Sequence, residues 1–110
     1  MSGPVFKRGD VWLVNLDPVM GAEINKTRPA VIISNDINNQ YSSTLTILPI
    51  SDLGEKVYPF EIQISHAEMV RCQQIRTIDK LRLVKRIGLL SSEKMLEIGG
   101  ALMIHLAIEN

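Results

Sequence analysis

The chain has few of the residues that build metal centres or covalent staples. It carries one cysteine, Cys72, and two histidines, His66 and His105, in 110 residues. One cysteine excludes an internal disulfide and points to a reducing compartment. No cysteine pair has zinc-ligand spacing, and two isolated histidines make no metal site. Cys72 lies in Val70-Arg71-Cys72, far in sequence from either histidine, and reads as a small buried hydrophobe rather than a nucleophile. His105 falls near the end of a helical stretch, where packing or a dipole role fits better than ligation. Net charge is also absent: twelve Lys and Arg balance twelve Asp and Glu. That argues against a protein that coats nucleic acid by charge alone. There is no P-loop, no GxGxxG and no carboxylate pair suited to sugar chemistry. No apolar run reaches transmembrane length, and Met1-Ser2-Gly3-Pro4-Val5-Phe6-Lys7-Arg8 contains no apolar signal core. The expectation is a cytoplasmic protein with no membrane partner.

What is present is apolar material for one core, 45% of residues, in a length that fits a single domain over residues 1–110. Charge is uneven along the chain. Between Arg71 and Arg86 stand Arg71, Arg76, Lys80, Arg82, Lys85 and Arg86 against one acid, Asp79, a local excess of five positive charges. That run is either a solvated charged turn or a local binding patch, and charge alone does not choose.

The pattern predicts mostly short strands. Asp10 to Leu16 is apolar on both faces, as for a strand covered on both sides, opened by a turn at Arg8-Gly9-Asp10 and ended at Asp17-Pro18. A polar loop from Val19 to Thr27 contains Gly21 and is long for a hairpin. Pro29–Ser34 reads as a second strand, Asn35–Gln40 as a turn or single helical turn, and Ser43–Ile50 as a third strand with its exit marked by Pro49 and Ser51-Asp52. Phe60–Ile64 alternates with Phe60, Ile62 and Ile64 inward. Glu68–Gln73 is a further strand, Thr77–Leu81 a short helical turn, and Leu83–Leu89 a last strand. Ser91 or Ser92 then caps an amphipathic helix carrying Met95, Ile98, Leu102 and Leu106. Gly99-Gly100 in its middle costs about 2 kcal/mol relative to alanines, so either another backbone approaches there or the cost is tolerated. Five or six strands with one terminal helix suggest a bent antiparallel sheet or partly open barrel.

Arg28 is the residue of most chemical interest. It stands in Lys26-Thr27-Arg28-Pro29-Ala30-Val31-Ile32-Ile33-Ser34-Asn35-Asp36, between a polar loop and an apolar strand. A cation fixed by a strand and facing an open loop suits phosphate handling. The alternative is a solvated surface arginine. Ser51 closes the third strand and reaches the same rim if the second and third strands pair; otherwise Ser51-Asp52 is an ordinary turn.

Taken together, Arg8-Gly9-Asp10-Val11-Trp12, Leu16-Asp17-Pro18-Val19 with Gly21 and Glu23, the segment from Lys26 to Asp36, Pro49-Ile50-Ser51, Pro59-Phe60-Glu61 and Gln74-Ile75-Arg76-Thr77-Ile78-Asp79-Lys80 resemble the MazF/PemK (Kid) toxins of bacterial toxin–antitoxin pairs. The resemblance spans nearly the whole chain, in order. It implies a mainly β, SH3-like, partly open barrel with short helices and a C-terminal α-helix, working as a homodimer. It implies a sequence-specific endoribonuclease that cuts single-stranded RNA with no metal or other cofactor, leaving 2′,3′-cyclic phosphate and 5′-hydroxyl ends. It implies neutralisation by a MazE-like antitoxin, an acidic peptide laid across the RNA groove. By motif position the catalytic arginine falls on Arg28 and the catalytic hydroxyl on Ser51. Glu23, Asn25, Lys26 and Thr27 become candidate RNA contacts, with Gln74 for a base edge and Arg76 for a phosphate or, equally, an ion pair with Asp79. Two features depart from the family pattern: a short Ser65–Met69 segment and Gln73 where an acid is common. Related CcdB toxins share the fold but bind gyrase, and a silent homologue would only bind antitoxin; Arg28-Pro29 with Ser51 favours cleavage over both.

Overall fold

The computed structural model describes residues 3–16, 27–54 and 56–109. Most of the loop expected over residues 19–27 lies outside them, and with it Glu23, Asn25 and Lys26. Among the described residues the strands are β1 (Asp10–Asn15), β2 (Thr27–Ile32), β3 (Thr44–Asp52), β4 (Glu61–Gln63), β5 (Glu68–Arg71), β6 (Arg76–Asp79) and β7 (Leu83–Leu89). Helix α1 (Asp36–Tyr41) joins β2 to β3, and α2 (Ser92–His105) ends the chain. Short 3-10 turns cover Cys72–Gln74 and Lys80–Arg82.

Every pairing is antiparallel, in the order β4-β5-β3-β2-β1-β7 with β6 added to β3. The outermost strands β4 and β7 do not pair, so the sheet curls without closing, as a partly open barrel does. Both faces of the central strands are covered. Val11, Val31, Leu48, Ile50 and Val70 pack with Ile98 and Ala101 of α2 on one side. Trp12, Val14, Leu16, Ala30, Ile32, Leu45, Ile47 and Ile78 form the other cluster. This is why β1 and β3 read as near-continuous apolar runs. Gly9 opens β1 with φ +93, a left-handed backbone that suits glycine, while its N–H donates to Ile32 O at 2.8 Å.

Three expectations need correction. Pro49 does not end the third strand: β3 runs on to Asp52. Its first half pairs with β6 through Ile47, its end pairs with β5 from Ile50, and Pro49 falls between these partners, where a missing donor interrupts neither ladder. The helical turn expected over Thr77–Leu81 is instead strand β6, because Ile78, opposite Leu45, is drawn into the second cluster; only the following Lys80–Arg82 turns, capped by Asp79 accepting from Leu81 N at 2.8 Å. In β4 the fully buried residue is Glu61, while Ile62 and Ile64 are only partly buried against the core. On the hairpin's other face Glu61 is buried in a polar cluster, while Gln63 beyond it is exposed.

Other expectations match. Ser91 caps α2, accepting from Lys94 N at 3.1 Å. Ile98 and Ala101 bury the helix against the core, and Leu96 stays exposed. An added Cβ at Gly99 or Gly100 meets nothing within 4 Å, so among the described residues no other backbone approaches there. The short Ser65–Met69 segment is the tight end of the β4–β5 hairpin, closed by Ile64 N donating to Glu68 O at 3.0 Å. Among the described residues no helix is long and apolar enough to cross a membrane.

Candidate active site

Pairing between β2 and β3 runs Ala30 opposite Pro49, Val31 opposite Leu48 and Ile32 opposite Ile47. Beyond the Ala30–Pro49 pair, Arg28 and Ser51 lie two residues further along the two strands, toward the same end of the sheet. Alternation along a strand puts Arg28 on the face of Ala30 and Ile32, and Ser51 on the face of Pro49 and Ile47. Beneath them lies the second core cluster, so the two side chains stand where the apolar face runs out to the rim. They line one cleft of about 690 Å³ with Leu16, Pro49, Arg71, Gln74 and Arg76. Arg28 is exposed and Ser51 half-buried.

Gln74 and Arg76, both exposed, reach the same cleft from the 3-10 turn and the start of β6. Among the described residues Arg76 makes no ion pair with Asp79, whose carboxylate is engaged with the Leu81 N–H. Thr27 sits exposed at the mouth of β2 opposite Asn15, and is not part of the cleft wall. Glu23, Asn25 and Lys26 lie outside the described residues.

One side chain of the cleft was read in the sequence only as a member of the cationic run. Arg71, at the end of β5, donates from Nε to Ser51 Oγ at 2.5 Å and from Nη1 to Glu61 Oε2 at 2.9 Å. Glu61 is its direct cross-strand partner. Glu61 also accepts from the Tyr58 N–H at 3.0 Å and from Gln73 Nε2 at 2.7 Å. Burial pushes the Glu61 carboxyl up, but the Tyr58 and Gln73 hydrogen bonds and the Arg71 charge outweigh it, and the group titrates below its ordinary range. Gln73, the residue found where an acid is common, thus supplies a donor to Glu61; an acid there would face a second carboxylate. The local signal for Arg71 was the cross-strand match with Glu61, visible only once the hairpin register is known.

The rest of the cationic run is mostly spent on structure. Arg86 pairs with buried Asp10 at 3.1 Å, Arg82 donates to Asn15 O at 3.0 Å, and Lys80 lies over the Phe6 ring at 5.6 Å. The later part of the run is therefore no solvated turn, since Lys85 and Arg86 lie in β7, whereas Arg71 and Arg76 stand on the cleft wall. Cys72 is fully buried, and burial, with the nearby Glu61 charge, raises its thiol to about 11, which fits a packing role. Among the described residues no three His, Cys, Asp or Glu side chains converge as a metal site would need.

The cleft wall thus holds three arginines, one hydroxyl and an amide over an apolar floor, with no carboxylate among the described lining residues. Such a surface favours an extended anion. The family model described as the PemK-like, MazF-like toxin of type II toxin–antitoxin systems matches residues 7–106. The chain is 38% identical to the endoribonuclease MazF of Staphylococcus epidermidis, over 96% of this chain and 95% of that protein. Its fold matches MazF in a MazE–MazF structure from Deinococcus radiodurans, with a TM-score of 0.85 at 21% identity, covering 97% of this chain and 100% of that one. An endoribonuclease from a mycobacterial species superposes with a TM-score of 0.82 at 19% identity, over 97% and 96% of the two chains. With fold, cleft and relatives in agreement, the chain belongs to the MazF/PemK family of type II toxin–antitoxin toxins.

Proposed function

We propose that this chain is an endoribonuclease toxin that cuts single-stranded RNA at short sequences, without a metal, by attack of a ribose 2′-oxygen on the adjacent phosphorus. The 2′-oxygen–phosphorus bond forms as the bond to the 5′-oxygen breaks. The 2′ proton is lost and the leaving 5′-oxygen gains one, giving 2′,3′-cyclic phosphate and 5′-hydroxyl ends. The observation that carries this reading is that Arg28 and Ser51 line one cationic cleft.

The chemistry asks for little from the protein beyond stabilising negative charge on a phosphorane-like transition state. Arg28 offers five N–H donors and a charge that persists at physiological pH, which suits charge stabilisation better than proton abstraction. Ser51 Oγ accepts from Arg71 Nε, so its own proton is the donor left to offer a phosphate oxygen. In the absence of RNA, Ser51 Oγ donates that proton to Asp52 O at 3.4 Å, a long contact that a phosphate oxygen replaces readily. Arg76 and Gln74 extend the cleft toward neighbouring nucleotides as phosphate and base-edge contacts. Glu23, Asn25, Lys26 and Thr27 are proposed contacts from the β1–β2 side.

The chain works as a homodimer in this reading. Val84, Ile87 and Leu89 are exposed on β7, an outermost strand, and Leu96 is exposed on α2 nearby, a surface that a second copy would cover. A MazE-like antitoxin, acidic where it meets the cleft, would neutralise the toxin by occupying the same cations.

The test is incubation of purified protein with RNA in excess EDTA, followed by mapping of both ends at each cut. Cuts at a recurring short sequence, with cyclic phosphate and 5′-hydroxyl ends, are expected. Intact RNA under these conditions, together with binding to gyrase, would replace this reading with a CcdB-like one.

A further inference from the structure

We propose that a second cleft, walled by the segment before β1, by α1 and by Lys80, binds one ribonucleoside monophosphate. The proposal stands apart from the ribonuclease reading, because this cleft shares no lining residue with the one that holds Arg28 and Ser51.

Segments far apart in sequence converge there: residues 3–7 ahead of β1, Asp36, Asn39 and Gln40 of α1, and Lys80 just past β6. They enclose about 340 Å³, at the small end of the range for ligand pockets, which suits one nucleotide better than a polymer. The cleft is also remote from the RNA site. Helix α1 leads into β3 at Thr44, and Ser51 stands at the other end of that strand, about 24 Å further along an extended chain.

The walls are fixed by bonds that leave several lining groups unspent. Asn39 is fully buried; its Nδ2 donates to Ser34 O at 2.8 Å and its Oδ1 accepts from Ser34 Oγ, which ties α1 to the chain just past β2. Asp36 Oδ1 accepts from the Arg8 N–H at 2.7 Å and from Asn39 Nδ2 at 3.3 Å, which ties the segment before β1 to α1. Phe6 rests on Trp12 with ring centroids 4.9 Å apart, and Lys80 N donates to Ser43 O at 3.0 Å. Among the described residues the Lys7 and Gln40 side chains make no hydrogen bond or ion pair, and Asp36 Oδ2 accepts none. Lys80 Nζ meets only the Phe6 ring, 5.6 Å from its centroid.

The unspent groups are therefore two ammoniums, an amide, an aromatic ring and one carboxylate oxygen. Two lysine charges against one carboxylate favour a phosphate. The Gln40 amide pairs a donor with an acceptor, as reading a base edge requires. Phe6 offers the base an apolar wall. Asp36 Oδ2 is an acceptor for a ribose hydroxyl, the role a carboxylate takes in dinucleotide sites. A bare anion leaves Gln40 and Asp36 idle, and a neutral ring leaves the lysines idle; one ribonucleotide engages them all.

The experiment is calorimetric titration of the full chain with each of the four ribonucleoside 5′-monophosphates and with inorganic phosphate. At least one nucleotide should bind at one site per chain, and should bind Arg28→Ala equally well. Lys7→Gln and Lys80→Gln should each weaken that binding by roughly 10-fold, the worth of a charge-assisted hydrogen bond. Lys7 is exposed, so Lys7→Gln tests the site even if removing Lys80 from Phe6 unfolds the chain. No binding of any nucleotide at millimolar concentration overturns the proposal. So does binding that vanishes in Arg28→Ala, which places the nucleotide in the RNA cleft, or binding unchanged in the folded lysine variants. Inorganic phosphate that binds as tightly as the best nucleotide overturns the nucleotide assignment.

Discussion

Arg28 owes its usefulness to the two residues after it. Pro29 fixes the backbone, Ala30 is buried in the second cluster, and the guanidinium is left exposed at the strand's mouth. An exposed side chain with no structural partner among the described residues can be removed at little cost to folding, within about 0.5 kcal/mol. Arg28→Ala is therefore expected to melt like wild type and to lose cleavage by about 100-fold or more, read from initial rates on a defined RNA. Arg28→Lys should recover only part of the loss, because a point charge lacks the planar fork. Glu61 behaves in the opposite way: it holds structure and stands behind the site. Its carboxyl titrates below the ordinary 4.5 when folded, so its contribution to stability is complete above that value and is lost as pH falls through the lowered one. Glu61→Gln should therefore be less stable than wild type at pH 7, and the gap should narrow as pH falls below 4.5 and through the lowered value. Denaturant midpoints at the two pH values check this; a constant gap would contradict it.

At the scale of elements, α2 and the turn before β1 carry the clearest predictions. Gly9 holds a left-handed backbone that alanine adopts only with strain, so Gly9→Ala should cost about 1–2 kcal/mol in chemical denaturation. Gly100 is exposed, inside a helix, with nothing near its missing Cβ. Gly100→Ala should stabilise the folded chain by roughly 0.8–1 kcal/mol, and a loss of stability would show that another chain approaches the helix there. The elements differ in how far the sequence disclosed them. Helix α2, with its Ser91 cap, follows from helical spacing that local residues dictate. Pro49 misled because a strand that changes partners tolerates proline at the change, a fact of pairing and not of propensity. Ile78 misled for a related reason: Leu45 across the sheet decides that Arg76–Asp79 extends. Arg28 and Ser51 were legible as candidates, and their shared rim follows only from the β2–β3 register. Glu61 and Arg71 were not legible as a pair, since a glutamate in an alternating strand reads as its wet face until the partner hairpin is in place.

On the scale of the whole molecule, formal neutrality conceals a sorting of charge. Asp10 and Glu61 are buried against Arg86 and Arg71, and Asp36 takes the Arg8 N–H at 2.7 Å. Cations meanwhile line the cleft. Binding to RNA should therefore weaken steeply with salt although the chain carries no net charge, and a flat dependence between about 50 and 200 mM salt would argue against a phosphate-binding cleft. The open sheet, with β7 at one edge and α2 across the other side, gives the cleft a rigid wall and leaves it accessible to an extended strand. The central claim is that the RNA supplies its own nucleophile while Arg28 and Ser51 hold the phosphate. Replacing one ribose at the mapped cut site by deoxyribose tests it most directly. The account predicts that cutting at that site stops while cuts elsewhere in the same RNA continue; cutting that persists at the deoxyribose would contradict it.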